Sequence, residues 1–262
     1  MSGSLHLPVP VALASSVSTN DDAFAYLEQQ STCVIWTLDQ TGGRGSRGRS
    51  WLAPKECGLA LSIGVQGKPY PHPARFCYPL FAGLLLYEGL AALLGPDRKK
   101  IALKWPNDLL MNGRKLAGIL CESKWTGGRP RIVLGMGVNL RAHRAMSILD
   151  KGFASLEELR DPPGPERIVA EITARFPEIL SASLDRDELH ARWLARCRTR
   201  LGTHLAVRAH GRRLQGRFQG LSEEGALLLA DANGQLHGVE QSCDDFVILD
   251  TDTAHGGQRD MS

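Results

Sequence analysis

The sequence predicts an α+β fold, a mixed sheet with flanking helices followed by a small β-barrel. Three observations predict it. Apolar runs of strand length (Cys33–Leu38, Leu59–Val65, Ile132–Leu140) are separated by glycine-rich turns and by one long apolar run of helical length, Phe76–Leu94. From Ser155 to Arg200 the pattern turns helical: Ser155 can cap Leu156–Leu159, Pro165 can start Glu166–Phe176, and Asp185 can cap Arg186–Arg200. After Gly202, short apolar runs near 204–209, 213–219, 226–230, 235–240 and 245–249 are divided by His210-Gly211, Glu224-Gly225 and Asn233-Gly234, the spacing of an SH3-like barrel. The expected domains are 1–200 and 201–250, with a polar, frayed tail at 251–262.

Taken in order, Ser18-Thr19-Asn20 precede Asp21-Asp22 and Ala23–Leu27, an amphipathic helix with acids in its first turn. Capping accounts for one of these three polar residues, not for all. Cys33–Leu38 delivers the chain to a glycine-arginine loop, and Leu59–Val65 carries it away. Phe76–Leu94 is a core helix ended by Gly95-Pro96. Ile101–Trp105 leads into Pro106-Asn107-Asp108 and Leu109–Met111. Asn112-Gly113 then forms a hairpin turn, because both central residues of a type I′ turn need positive φ. Lys115 therefore sits near the turn of a hairpin strand, Arg114–Glu122. Another turn, Gly127-Gly128-Arg129-Pro130, leads to the strand carrying Gly135-x-Gly137-x-Asn139. Lacking a third glycine and a following helix, that segment is no dinucleotide fingerprint, and its glycines are expected to let a ligand approach the strand.

Composition narrows the function. With 262 residues and 43% hydrophobic content, the chain can bury a substantial core. A net charge of +3, from 31 basic and 28 acidic residues, is too small to imply a nucleic-acid protein. The six cysteines are widely spaced, with no C-x-x-C pair and no His cluster for zinc, and read as reduced thiols. No export signal or membrane span is expected, so the default compartment is the cytoplasm.

The basic excess is local. Gln40–Trp51, QTGGRGSRGRSW, holds four glycines and three arginines in twelve residues. Glycines let backbone amides face a ligand and guanidinium groups offer donor forks to carboxylate or phosphate, so this loop is expected to bind an anion. Gly43–Ser50 approaches the P-loop spacing with Arg49 in the lysine position. The P-loop must open a helix, however, and Pro54 and Gly58 follow too soon.

Ser18-Thr19-Asn20, the Gly43–Trp51 loop, Lys104-Trp105-Pro106-Asn107-Asp108 with Arg114-Lys115-Leu116-Ala117-Gly118-Ile119-Leu120, and Gly135-Met136-Gly137-Val138-Asn139 stand in a fixed order. Together they resemble the biotin protein ligases, over roughly residues 15–140 by motif and in outline to about 250. The resemblance implies a class II synthetase-like catalytic domain related to lipoate ligases. It also implies activation of biotin by ATP as biotinyl-5′-AMP, followed by transfer to a lysine of the biotin carboxyl carrier protein of acetyl-CoA carboxylase or another biotin-dependent carboxylase.

By the same resemblance Lys115 and Arg44 are catalytic. The biotin contacts are Ser18, Thr19, Asn20, Gln40, Arg44, Gly45, Ser46, Trp51, Lys115 and Gly118. The ATP contacts are Arg44, Arg49, Trp51, Asn107, Asp108 and Asn139. Mg²⁺ is expected on the triphosphate, with no metal ligand assigned beyond a positioning role for Asp108. Ser46 departs from the family pattern, which has a basic residue there: either Arg47 or Arg49 compensates, the favoured expectation, or the loop opens more readily and the adenylate escapes sooner. A homodimer is compatible with the sequence. Specific DNA binding is not expected, because Ser18-Thr19-Asn20 lie too near the first residue for a preceding winged helix. A lipoate or octanoate ligase, or a non-catalytic biotin sensor, are the alternatives. Pyrophosphate release with biotin against lipoate separates the first, and ATP consumption the second.

Overall fold

The computed structural model describes residues 7–51, 53–67, 77–143, 152–209, 212–240 and 248–250. The expected tail at 251–262, Cys243 and the first residue of the long apolar helix lie outside them.

The chain divides into two units, Met1–Arg196 and Cys197–Ser262. The first contains strands β1 (Val11–Leu13), β2 (Thr32–Thr37), β3 (Gly58–Gln66), β4 (Ile101–Lys104), β5 (Asp108–Met111), β6 (Arg114–Thr126) and β7 (Arg129–Asn139). They form one sheet in the order β1-β2-β3-β7-β6-β5-β4. Only β1 runs parallel to its neighbour, which makes the sheet mixed. Three residues are too few for a hydrophobic period, and so the sequence shows β1 merely as an apolar approach. Asn112 and Gly113 have φ of 49° and 81°, as the predicted hairpin requires. Gly127 and Gly128 turn β6 into β7, also at positive φ.

Alternation along the strands gives the sheet two different faces. On one, helix α1 (Thr19–Tyr26) packs Ala23 and Phe24 with Leu27 against Cys33, Ile35 and Val133. Burial pushes the Cys33 thiol up from its ordinary 9.0 to about 11. The fold thus holds a proton that the unfolded chain loses above pH 9. Stability is expected to fall as pH rises from 9 to 11, and a thiol reagent at pH 8 should reach half-buried Cys57 well before Cys33, as mass mapping of the modified sites will show. If Cys33 reacts as fast as Cys57 in the folded protein, its burial is wrong.

The other face is covered by α2 (Tyr78–Leu94), with α3 (Pro165–Ser183) and α4 (Arg186–Arg196). By length and composition Tyr78–Lys100 passes as a membrane span, but Leu80, Phe81, Leu84, Leu85 and Leu86 are fully buried, so α2 is a core helix. Gly89 permits its close crossing with α3, since a Cβ there would stand 2.7 Å from Ile172 Cγ1. Phe81 meets Phe176 edge to face at 5.5 Å.

Two helix boundaries differ from expectation. α3 continues past Pro177 to Ser183, because Ile179 and Leu180 prolong the buried stripe and their packing outweighs the lost backbone bond. α4 stops at Arg196 rather than Arg200. Asp185 caps it as expected, its Oδ1 accepting from the amides of Asp187 and Glu188. Ser155 opens only a 3₁₀ turn, Leu156–Glu158, through a capping box with Glu158.

The second unit is a five-stranded antiparallel sheet of β8 (His204–Ala209), β9 (Arg212–Leu221), β10 (Leu227–Ala230), β11 (Leu236–Val239) and β12 (Ile248–Asp250), in the order β11-β10-β9-β8-β12. A bulge lies in the β9–β10 pairing. The strands match the barrel predicted from the sequence.

Candidate active site

The glycine-arginine loop, the first turn of α1, β6, β7 and Phe153 wall one cavity on the α1 face of the sheet. Its polar end is organised by Ser62, in the middle of β3. Ser62 is fully buried; its Oγ stands 2.8 Å from Thr19 Oγ1 and donates to Asn20 Oδ1 at 2.7 Å. Asn20 Nδ2 donates in turn to the Leu120 carbonyl at 3.2 Å and to Glu122 Oε2 at 2.7 Å. Asn20 is therefore a wall residue whose amide is spent on the protein. Thr19 presents its amide and hydroxyl to Gln40 Oε1 at 2.9 and 3.2 Å. That fixes the Gln40 amide and leaves its NH₂ as a donor at the cavity wall. Ser18 occupies the N-cap position but makes no capping hydrogen bond, so its hydroxyl is not consumed by the helix. Ser62→Ala would strand Asn20 Oδ1; a loss of about 1–3 kcal/mol is expected in denaturant unfolding, with weaker ligand binding. Unchanged stability and binding would remove Ser62 from this role.

Three cations line the cavity, and two of them are held by carboxylates. Arg44 grips Asp21 with two bonds, at 2.6 and 2.9 Å, and reaches Glu122 Oε2 at 3.2 Å. The bond from Arg44 holds the Asp21 carboxyl below its ordinary range, and Asp21 with Glu122 pushes Arg44 up. Lys115 Nζ lies 2.7 Å from Asp108 Oδ1.

The aim of Lys115 comes from a β-bulge. Asp108 pairs with Gly118 and Leu109 with Ala117, yet Leu110 pairs with Lys115, leaving Leu116 as an extra residue. Strict alternation would put Lys115 on the face opposite Gly118; the extra residue brings both to the cavity. The lysine backbone is clamped as well: its amide donates to the Gly152 carbonyl and its carbonyl accepts from Ala154, each at 2.7 Å. Asn139 Nδ2 donates to the same Lys115 carbonyl and to that of Ala154. Asn107 Nδ2 donates to the Ile119 carbonyl at 2.9 Å.

All expected site residues except Asp108 line this one cavity. Asp108 stands one step behind the wall, its carboxylate against Lys115, which shares its face of the sheet. The strand glycines are a correction. A Cβ on Gly135 would stand 2.4 Å from Asn20 Oδ1, and one on Gly137 would stand 2.5 Å from Trp51 Cε2. Their space is filled by protein side chains, not left for a ligand. Arg49 rests on Ser46, with Nε 3.4 Å from its carbonyl and a terminal nitrogen 3.4 Å from its hydroxyl. Sequence reasoning missed Ser62, Glu122 and Phe153. Ser62 left one signal, a lone hydroxyl in an otherwise apolar strand.

Known proteins support the same reading. Residues 12–139 match the family model for the Biotin/lipoate A/B protein ligase family. The biotin--[acetyl-CoA-carboxylase] ligase of Paracoccus denitrificans is 32% identical over 85% of this chain and 95% of its own. The Mycobacterium tuberculosis enzyme of the same name is also 32% identical, over 90% of this chain and 88% of its own. Among solved structures, the Aquifex aeolicus biotin protein ligase in complex with biotin and ATP superposes with a TM-score of 0.72, covering 92% of this chain and 98% of its own at 21% identity. With its mixed sheet, its glycine-arginine loop and these relatives along most of its length, the chain belongs to the biotin protein ligase branch of the biotin/lipoate ligase family.

Proposed function

We propose that the chain activates biotin with ATP and transfers it to a lysine of a biotin carboxyl carrier protein. A biotin carboxylate oxygen attacks the α-phosphorus of ATP as the bond to the bridging oxygen breaks and pyrophosphate leaves. The acceptor amine then attacks the carbonyl carbon of the mixed anhydride, loses a proton, and releases AMP. Two anions must meet in the first step, and the observation that carries the reading is the pair of cations, Lys115 and Arg44, over a cavity whose far end offers Ser18, Thr19 and Gln40. The Gln40 NH₂ and the Ser18 hydroxyl suit a neutral ureido group, a carbonyl flanked by two N–H donors. Lys115, a compact charge on a flexible stem, suits the meeting point of carboxylate and α-phosphate once it leaves Asp108.

The loop residues Arg44, Gly45, Ser46 and Arg49 would close over the adenylate, with Trp51 and Gly118 against the apolar part of biotin and Asn107 and Asn139 bracing the nucleotide end. The amide nitrogens of both asparagines are spent on carbonyls, so in this reading they shape that end more than they read a base. Mg²⁺ would neutralise the triphosphate. Among the described residues there is no cluster of three His, Cys, Asp or Glu side chains. Asp108, which holds Lys115 at rest and is released when the lysine moves to the anions, is the carboxylate in reach, so the side chains here would position a nucleotide-borne Mg²⁺ and not hold one by themselves. We place the reaction in the cytoplasm, in keeping with the five described cysteines, none of which is in a disulfide.

The test is one incubation of the protein with ATP, carrier domain and either biotin or lipoate. Pyrophosphate release and a biotin-sized mass gain on the carrier are expected with biotin alone. Turnover with lipoate, or biotin binding without ATP consumption, would overturn the reading. In the same assay Arg49→Ala should speed escape of purified biotinyl-AMP several-fold, since Arg49 is the cation resting on Ser46; an unchanged dissociation rate would deny it the closing role.

A further inference from the structure

Glu122 joins Arg44 to the buried hydrogen-bonded chain of the site. One of its oxygens, Oε2, accepts from Asn20 Nδ2 at 2.7 Å and from Arg44 at 3.2 Å. On the Asn20 side stands the buried chain of Ser62, Thr19 and Gln40. On the Arg44 side stands the glycine-arginine loop.

The two carboxylates on Arg44 are not equivalent. Asp21 is half-exposed, in the first turn of α1, and takes two of the arginine's bonds. Glu122 is less exposed, sits in mid-strand on β6, and is anchored from behind by Asn20. When an anionic ligand competes for the guanidinium, the solvated partner yields at lower cost than the anchored one. Glu122 then remains as the pivot that sets where Arg44 points.

We propose that Glu122 is a positioning residue for adenylate formation: it fixes Arg44 against the reacting anions by tying it to the hydrogen-bonded chain beneath the neutral end of the cavity. The proposal rests on the reading that Arg44 acts on those anions. It also makes the two ends of the site mechanically continuous, so that seating the neutral head of the ligand firms the cation at the other end.

The test is a double-mutant cycle on biotin-dependent pyrophosphate release, with wild type, Arg44→Ala, Glu122→Gln and the double variant. The Glu122→Gln change keeps an oxygen for Asn20 but removes the charge that faces Arg44. Biotin affinity by calorimetry should therefore stay within about threefold, while kcat falls on the order of ten- to a hundredfold. Glu122→Asp, which retains the charge on a shorter stem, should recover part of the loss and serves in the cycle if Glu122→Gln folds poorly. In the Arg44→Ala background the Glu122 substitution should cost no further rate, because it acts through Arg44. Equal losses in both backgrounds, or normal kcat in Glu122→Gln, would overturn the proposal while leaving Arg44 in its role. Normal turnover of Arg44→Ala would instead overturn the reading beneath it, and the proposal with it.

Discussion

Lys115→Ala is expected to lower adenylate formation by about a hundredfold to a thousandfold, the cost of removing one preorganised charge from a developing anion, while biotin binding weakens only a few-fold. The separation follows from the geometry. The groups suited to the ureido end, Ser18, Thr19 and Gln40, are held by α1 and β3, and Lys115 contributes nothing to that chain. The backbone around position 115 is clamped by Gly152, Ala154 and Asn139, so alanine there leaves the strand in place. Asp108 would then carry an unneutralised charge beside the reacting phosphate, adding repulsion to the lost attraction. Pyrophosphate release and calorimetry measure the two effects independently, and near-normal turnover would exclude Lys115 from the chemistry.

Gly137→Ala is expected to have the second largest effect, and to reduce both stability and binding. The new methyl would stand 2.5 Å from Trp51 Cε2, 2.7 Å from Cζ2 and 2.9 Å from Nε1, a rigid ring rather than a flexible chain end. Retreat is blocked, because the Trp51 carbonyl already crowds Gly43, where a Cβ would stand at 2.3 Å. The indole must leave the strand, at a cost of about 1–3 kcal/mol for overpacking. Biotin affinity should fall at least about tenfold, one such increment being worth about 1.4 kcal/mol. Thermal unfolding and calorimetry read the two losses; a variant with wild-type melting and affinity would mean that the indole does not occupy the space above Gly137.

What the sequence made legible was whatever is local. The Asn112-Gly113 turn, the strands around the glycine-arginine loop and the terminal strands are encoded by neighbours a few residues apart, where φ preferences and period-two alternation act. The site residues were readable because Lys104–Asp108 and Arg114–Leu120 keep a family's order, not because their chemistry announces itself. Tertiary contacts were not readable. Nothing near Ser62 in sequence shows that Asn20 and Thr19 will meet it, and Glu122 reads as a solvated strand residue until Asn20 and Arg44 converge on it. Gly135 and Gly137 signalled close approach correctly, but not that Asn20 and Trp51 are what approaches. β1 was too short for any period, and α3 outran its proline because buried Ile179 and Leu180 override a local rule.

The extra residue at Leu116 makes the site sensitive to arithmetic as well as to identity. Substitutions along β6 trade one side chain for another, but deleting one residue between Lys115 and Gly118 would remove the bulge: the lysine would stay on the face of Gly118, on a strand that has lost the local bend and twist with which the bulge aims it. Inserting one residue there would either enlarge the bulge or slide Lys115 off its pairing with Leu110, whereas a length change at Gly127-Gly128 leaves every side chain upstream of the tip on its own side. The β6–β7 tip therefore tolerates changes of length that would disturb the aim of the lysine if made between Lys115 and Gly118. For anyone grafting or shuffling the domain, the safe seams lie at that tip.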